Sequence, residues 1–204
     1  MIEITQLNSH SGIFAKAWDA IAYFAGRIDP VWQIIIVAVF CLSLFVFMLF
    51  YIFDKLKLSQ MISLSIIPPY ILFILVLTIF IRLPNNEVTY EFMPIWSYIE
   101  MIKYKRVDLL IDNLFNLCIF VPLGFLVMSS FSPKKKEWRA FRILLLLTLL
   151  FSLSIEISQL ITRHGCCETD DIINNLIGSA IGGIIYMIFH QIVEKIFSAT
   201  EDKK

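Results

Sequence analysis

The stretch "SIEISQLITR", residues 154–163, sets a carboxylate, an amide and a guanidinium into a run of leucine, isoleucine and phenylalanine. Glu156, Gln159 and Arg163, at offsets of three and seven, share one helical face, with Ser152 a turn deeper. Two other stretches repeat the theme. In "DNLFNLCIFVPLGF", Asp112 and Asn116 lie one turn apart and Asn113 and Asn116 share a neighbouring edge. In "ETDDIINNLIGSAIGG", Asp171, Asn175, Gly178 and Gly182 trace one stripe, and Asp170 and Asp171 fall at a helix N-terminus, where the macrodipole favours negative charge. Carboxylates and amides so placed could hold a cationic or polyhydroxylated ligand, relay a proton, or supply a general base.

The elements that must position them are membrane helices. Of the 204 residues, 58% are hydrophobic, and five stretches are long enough to cross about 30 Å of hydrocarbon: 31–53, 61–81, 112–131, 141–162 and 172–193. Alternating β patterns are absent, and helices satisfy their own backbone hydrogen bonds in lipid. The expected fold is an all-α polytopic membrane bundle of about five transmembrane helices with an N-terminal interfacial helix. Glu156 then lies roughly 9 Å below the membrane boundary at about 1.5 Å rise per residue. An ionised group at mid-membrane costs about 2.5–3.5 kcal/mol, so it must face the bundle interior and find partners. Gly178-x-x-x-Gly182 and Ser179-x-x-x-Gly183 permit a close helix neighbour.

These constraints predict one polar, outward-facing pocket where spans three, four and five meet, lined by Asp112, Asn113, Asn116, Glu156, Gln159, Arg163, Asp170, Asp171 and Asn175. The competing reading is that the amides and Glu156 only glue helices together, at about 0.6 kcal/mol for each interhelical hydrogen bond.

Outside the spans, "IFAKAWDAIAYFAGRI" places Phe14, Trp18, Ile21 and Ala25 on one face, which suits a helix on the membrane surface or docked on the bundle. A removable signal peptide is not expected there. Pro68-Pro69 should kink span two. In the 82–111 loop, Ile95, Ile99 and Ile102 oppose Glu100 and Lys103, predicting a short interfacial helix that roofs the pocket. The chain accordingly divides into an interfacial segment 1–30, an extra helix and turn 31–60, a four-helix domain 61–193 and a tail 194–204. Ten Lys and Arg fall on one side and seven, in much longer segments, on the other. This places the N-terminus outside and the C-terminus in the cytoplasm of a multi-pass cell-membrane protein. "KKKEWR" reads as an orientation signal near anionic lipid, so no nucleic-acid partner is implied.

Several chemistries lose support. Ser179 lies about three turns from His190 on the same helix, which cannot form a catalytic dyad. "RHGCCETDD" crowds His164, Cys166, Cys167, Glu168, Asp170 and Asp171 together, but no usual zinc spacing is present, so neither metal nor cofactor is expected. Cys41 and Cys118 read as apolar fillers in spans, and Cys166 and Cys167 as unpaired thiols on the outer side. The net-negative outer cluster suits a cationic or polyhydroxylated ligand better than a bare phosphate, though Arg163 could grip one phosphate oxygen pair.

In this order the motifs resemble the VanZ-like family, named for a membrane protein associated with resistance to the glycopeptide teicoplanin. The matching residues are Asn116, Phe120, Pro122, Leu123 and Gly124, then Glu156 and Gln159, then Asp171, Asn175, Gly178 and Gly182. Pro122 and Gly124 thereby join Gly178 and Gly182 as expected packing positions. The resemblance spans about residues 65–193 and includes "YEFMPIW". It departs at "RHGCCETDD", since the family carries its Arg closer to the acidic pair. It implies an integral protein of the bacterial envelope, in some members lowering glycopeptide susceptibility, with no established catalytic residue. The expected partners are membrane lipids and a cell-wall precursor or glycopeptide. An intramembrane enzyme using Glu156 as general base, and a small transporter, are the alternatives.

Overall fold

The computed structural model describes residues 28–82, 84–131 and 137–201, with the isolated positions Trp18, Ala22 and Gly26. Apart from Trp18, Ala22 and Gly26, the expected N-terminal surface helix lies outside the described residues, as do the three lysines of "KKKEWR" and the last two lysines.

Helix α1 (Pro30–Ile52) opens with Pro30 at its first position and the Asp29 carboxylate accepting the Val31 N–H at 2.8 Å. Helix α2 (Leu58–Leu75) runs on into a π-helical turn, Val76–Phe80. Short helix α3 (Trp96–Tyr104) precedes α4 (Val107–Ser130), α5 (Glu137–Thr162) and α6 (Thr169–Glu201). Among the described residues, five helices are long and apolar enough to cross a membrane, with α6 counted over Thr169–Ile196. These are the five expected spans. They begin earlier than the apolar windows do, because a helix extends into the polar head-group layer: α4 starts at Val107, with Asp108 in its first turn paired to Arg106 at 2.5 Å.

Helix α6 packs between α4 and α5, α2 lies against α4, and α1 rests on α2 at the rim. The α4–α6 contact is backbone on backbone. A Cβ added at Gly124 would collide with the Ser179 carbonyl, at Gly178 with that of Leu117, and at Gly182 with that of Val121. Gly183 instead faces the Phe141 and Leu144 side chains of α5. Between α5 and α6 a polar ladder runs up from mid-membrane, with Thr148 to Ser179 at 2.7 Å and Asn175 Nδ2 to Ser152 Oγ at 2.8 Å.

Pro68 and Pro69 lie within one continuous helical segment. Pro69 has no N–H for the Ser65 carbonyl, and Ser43 Oγ of α1 donates to that oxygen at 2.7 Å. The freed acceptor thus attaches the peripheral helix. Irregular helix appears about two to three turns later, in the π turn.

The chain between α2 and α3 forms strand β1 (Tyr90–Glu91), paired in parallel with β2 (Cys167–Glu168) between α5 and α6, in the register Tyr90 to Cys167 and Glu91 to Glu168. The bundle is all-α as expected. This ribbon escaped the sequence reading because two-residue strands carry no alternation. Helix α3 is the expected short helix, with Ile95, Ile99 and Ile102 exposed and Ser97 buried.

Candidate functional site

The polar residues meet at the end of the bundle where α2 and α5 finish and α4 and α6 begin. Two loops are clamped there. Asn85 N–H donates to the Arg163 carbonyl at 2.7 Å, and the Asn85 amide and the Thr89 hydroxyl both donate to the Gly165 carbonyl, at 2.9 and 3.0 Å. Gly165 has φ +112°, and a Cβ there would stand 2.7 Å from Arg82 Nη1 and 3.5 Å from Gln159 Cδ. Glycine therefore lets the Arg82 guanidinium lie against the loop beside Gln159. The π turn delivers both α2 contributions. It ends just before Arg82, and it exposes the Thr78 carbonyl, which accepts from Gln159 Nε2 at 3.0 Å.

One set of residues fastens α3 over this end. The Asp170 carboxylate accepts the Ile95 N–H at 2.5 Å, the Ser97 N–H at 2.9 Å and the Ser97 hydroxyl at 2.5 Å, capping α3. Asn113 Nδ2 donates to Ser97 Oγ and Asn174 Nδ2 to Asn113 Oδ1, each at 3.0 Å, and the Tyr98 hydroxyl bonds the Asn174 amide oxygen. Burial, followed by the nearby Asp170 charge, raises the Tyr98 phenol above its ordinary value, which keeps it a donor.

The second set gathers acidity. Glu156 is 2% exposed, and its Oε2 accepts the Glu168 N–H at 2.8 Å. Asp171 is hydrogen-bonded by the Asn116 side chain. The Arg82 charge acts on Asp112, Glu156, Glu168 and Asp171 together. Burial, reinforced by the Asp171 charge, pushes the Glu168 carboxyl up to about 7 against the opposing pull of Arg82. Burial and the Glu168 charge push the Cys166 thiol up to about 12, far from the thiolate range. All four cysteines are free, with Cys167 buried and Cys41 and Cys118 exposed on their helices.

Of the nine residues expected in the pocket, Asp112, Asn116, Glu156, Gln159, Asp171 and Asn175 lie at the acid cluster or directly beneath it. Asn113 and Asp170 belong to the α3 fastening. The Arg163 side chain is exposed, at φ +60°, with its carbonyl tied to Asn85. The cation facing the acids is Arg82, which sequence reasoning missed. The signal was an arginine directly after span two, at the same end of the bundle as the acids. Gly124, Gly178 and Gly182 lie in the α4–α6 contact, while Pro122 is exposed.

Two amide oxygens in this region, Gln159 Oε1 and Asn175 Oδ1, are buried and accept nothing. Their residues are 1% and 3% exposed. Among the described residues this end of the bundle is thus rich in acceptors, with Arg82 acting on all four carboxylates of the cluster and Arg106 on Asp112 as well.

Membrane-length helices closed over an acid cluster at one end define a polytopic α-helical membrane protein. Residues 69–190 match the VanZ/LLP1 family model, and the chain belongs to that family. Helix α1 precedes the matched region, while every site residue discussed here lies within it. No curated protein and no solved structure matches the chain.

Proposed function

We propose that this VanZ-family protein binds, at its acid-lined end, the donor-bearing head of an envelope molecule. That molecule is a cell-wall precursor, a lipid or the glycopeptide itself, and binding lowers susceptibility to teicoplanin-type drugs. The observation that carries this reading is the pair of buried, unmet acceptors, Gln159 Oε1 and Asn175 Oδ1, beside carboxylates already engaged by Glu168 N–H, Asn116 and Arg82. A buried acceptor left empty costs about 1–3 kcal/mol, and a ligand supplying O–H or N–H groups recovers that cost. The surplus of carboxylates favours an ammonium or a polyol over a phosphate.

The proposed orientation, N-terminus outside and C-terminus cytoplasmic, turns this end toward the wall. Cys166, with so little thiolate, reports that side poorly, and Glu87→Cys at an exposed loop position is the better reporter. An impermeant maleimide should tag it on intact cells, and labelling only after lysis reverses the topology. For function, cells carrying the protein should bind less labelled teicoplanin than cells without it, and Glu156→Gln should restore binding. Equal binding in all three strains rejects the reading.

A further inference from the structure

Beneath the acid cluster the same bundle carries a concavity. A partly open cavity of about 400 Å³ lies between α2, α4 and α6, lined by Ile66 and Tyr70, by Val121, Phe125 and Leu126, and by Ile185. That volume is within the range of small-molecule sites, and the lining is almost wholly apolar.

Its depth is fixed by the helices. Val121 follows Asn116 by five residues, and Ile185 follows Asn175 by ten, so the cavity begins about 7 Å and extends at least about 15 Å below the polar residues. A chain about as long as one hydrocarbon leaflet, roughly half of a 30 Å core, spans that distance. Two local features keep it open. The Tyr70 hydroxyl donates to the Ile119 carbonyl at 2.8 Å, which holds the ring at the wall. Pro122, exposed beside the cavity, has a fixed ring that cannot swing in to fill it. Ile185 and Pro122 are exposed at its edge, so in a bilayer the mouth meets lipid and not water.

We propose that this groove holds one acyl chain of a bilayer phospholipid. Water is excluded by the lining, and an empty apolar groove would forfeit dispersion contacts that a flexible chain supplies. On the reading given under Proposed function, the head of the same lipid lies at the acid cluster. The unmet acceptors there select a primary ammonium, which donates hydrogen bonds, as in phosphatidylethanolamine, over the equally cationic but donor-free head of phosphatidylcholine.

The test uses the full chain in nanodiscs containing phosphatidylethanolamine with a photoactivatable diazirine midway along one acyl chain. Mass spectrometry of the unaltered protein should place adducts on Tyr70, Val121, Phe125 and Ile185. Val121→Trp and Ile185→Trp, which fill the groove, should cut that labelling several-fold, while Leu146→Trp on the exposed face of α5 should not. Adducts scattered over all lipid-facing helices, or unchanged in both groove-filling variants, overturn the proposal. The head is read separately, by repeating the labelling with diazirine-bearing phosphatidylcholine. Groove adducts that are equal for both lipids count against the head-binding reading alone and leave the acyl groove standing.

Discussion

The carboxylate of Glu156, two turns before the end of α5, accepts the backbone N–H of Glu168 in the strand that precedes α6, at 2.8 Å. One acid therefore joins a membrane helix to the clamped loops, and the same carboxyl belongs to the cluster around Arg82. Glu156→Gln keeps an acceptor oxygen for that N–H and removes the ionisable carboxyl. It should preserve thermal stability in nanodiscs while abolishing protection from teicoplanin in a growth assay. Glu156→Leu strands the N–H and should lower stability by about 1–3 kcal/mol as well. If the two variants behave alike in both assays, the carboxyl has no role separable from holding that N–H.

Arg82 and Arg163 make a second contrast. Arg82→Gln removes the cation that faces Asp112, Glu156, Glu168 and Asp171, and should abolish drug protection. Arg163→Gln alters an exposed side chain and should leave protection intact. Minimum inhibitory concentrations of the two strains decide between them.

Glu168 has a folded-state carboxyl near 7 against an ordinary value of 4.5. The folded state thus binds the proton more tightly than the unfolded chain. The stabilisation is fully present below pH 4.5 and is lost as pH rises through about 7. The difference in melting temperature between wild type and Glu168→Gln should drift with pH across that window and flatten above it. A difference independent of pH would show that Glu168 does not titrate in the folded protein.

The two neighbouring glycines of α6 should differ sharply. At Gly182 an added methyl meets the Val121 carbonyl, which is fixed in a helix, whereas at Gly183 it meets the Leu144 and Phe141 side chains, which can shift. Gly182→Ala should destabilise by about 1–3 kcal/mol, and Gly183→Ala by less. Unfolding in mixed micelles measures both.

Asp170→Ala removes three acceptor contacts from the start of α3. Amide exchange in residues 95–99 should accelerate, while exchange in α4 and α6 stays slow, because the cap fastens only the short helix. Equally slow exchange around Ile95 in wild type and variant would refute this role.

The sequence alone determined the membrane helices and the positions of the acids along them. Hydropathy and 3.6-residue periodicity are properties of contiguous residues, so five spans, the face shared by Glu156 and Gln159 and the stripe from Asp171 to Gly182 were all legible. The amphipathic pattern around Ile95, Ile99 and Ile102 announced α3 for the same reason. What only the tertiary structure decided is who meets whom. Asp170 and Asp171 are adjacent in sequence, yet one caps α3 and the other joins the acid cluster, since successive helical residues point about 100° apart. Arg82 serves as counter-charge because a π turn and Gly165, separated by more than eighty residues, set its guanidinium beside Gln159. No local pattern encodes that meeting, because it depends on how far α2 extends and on how closely glycines let α6 approach α4.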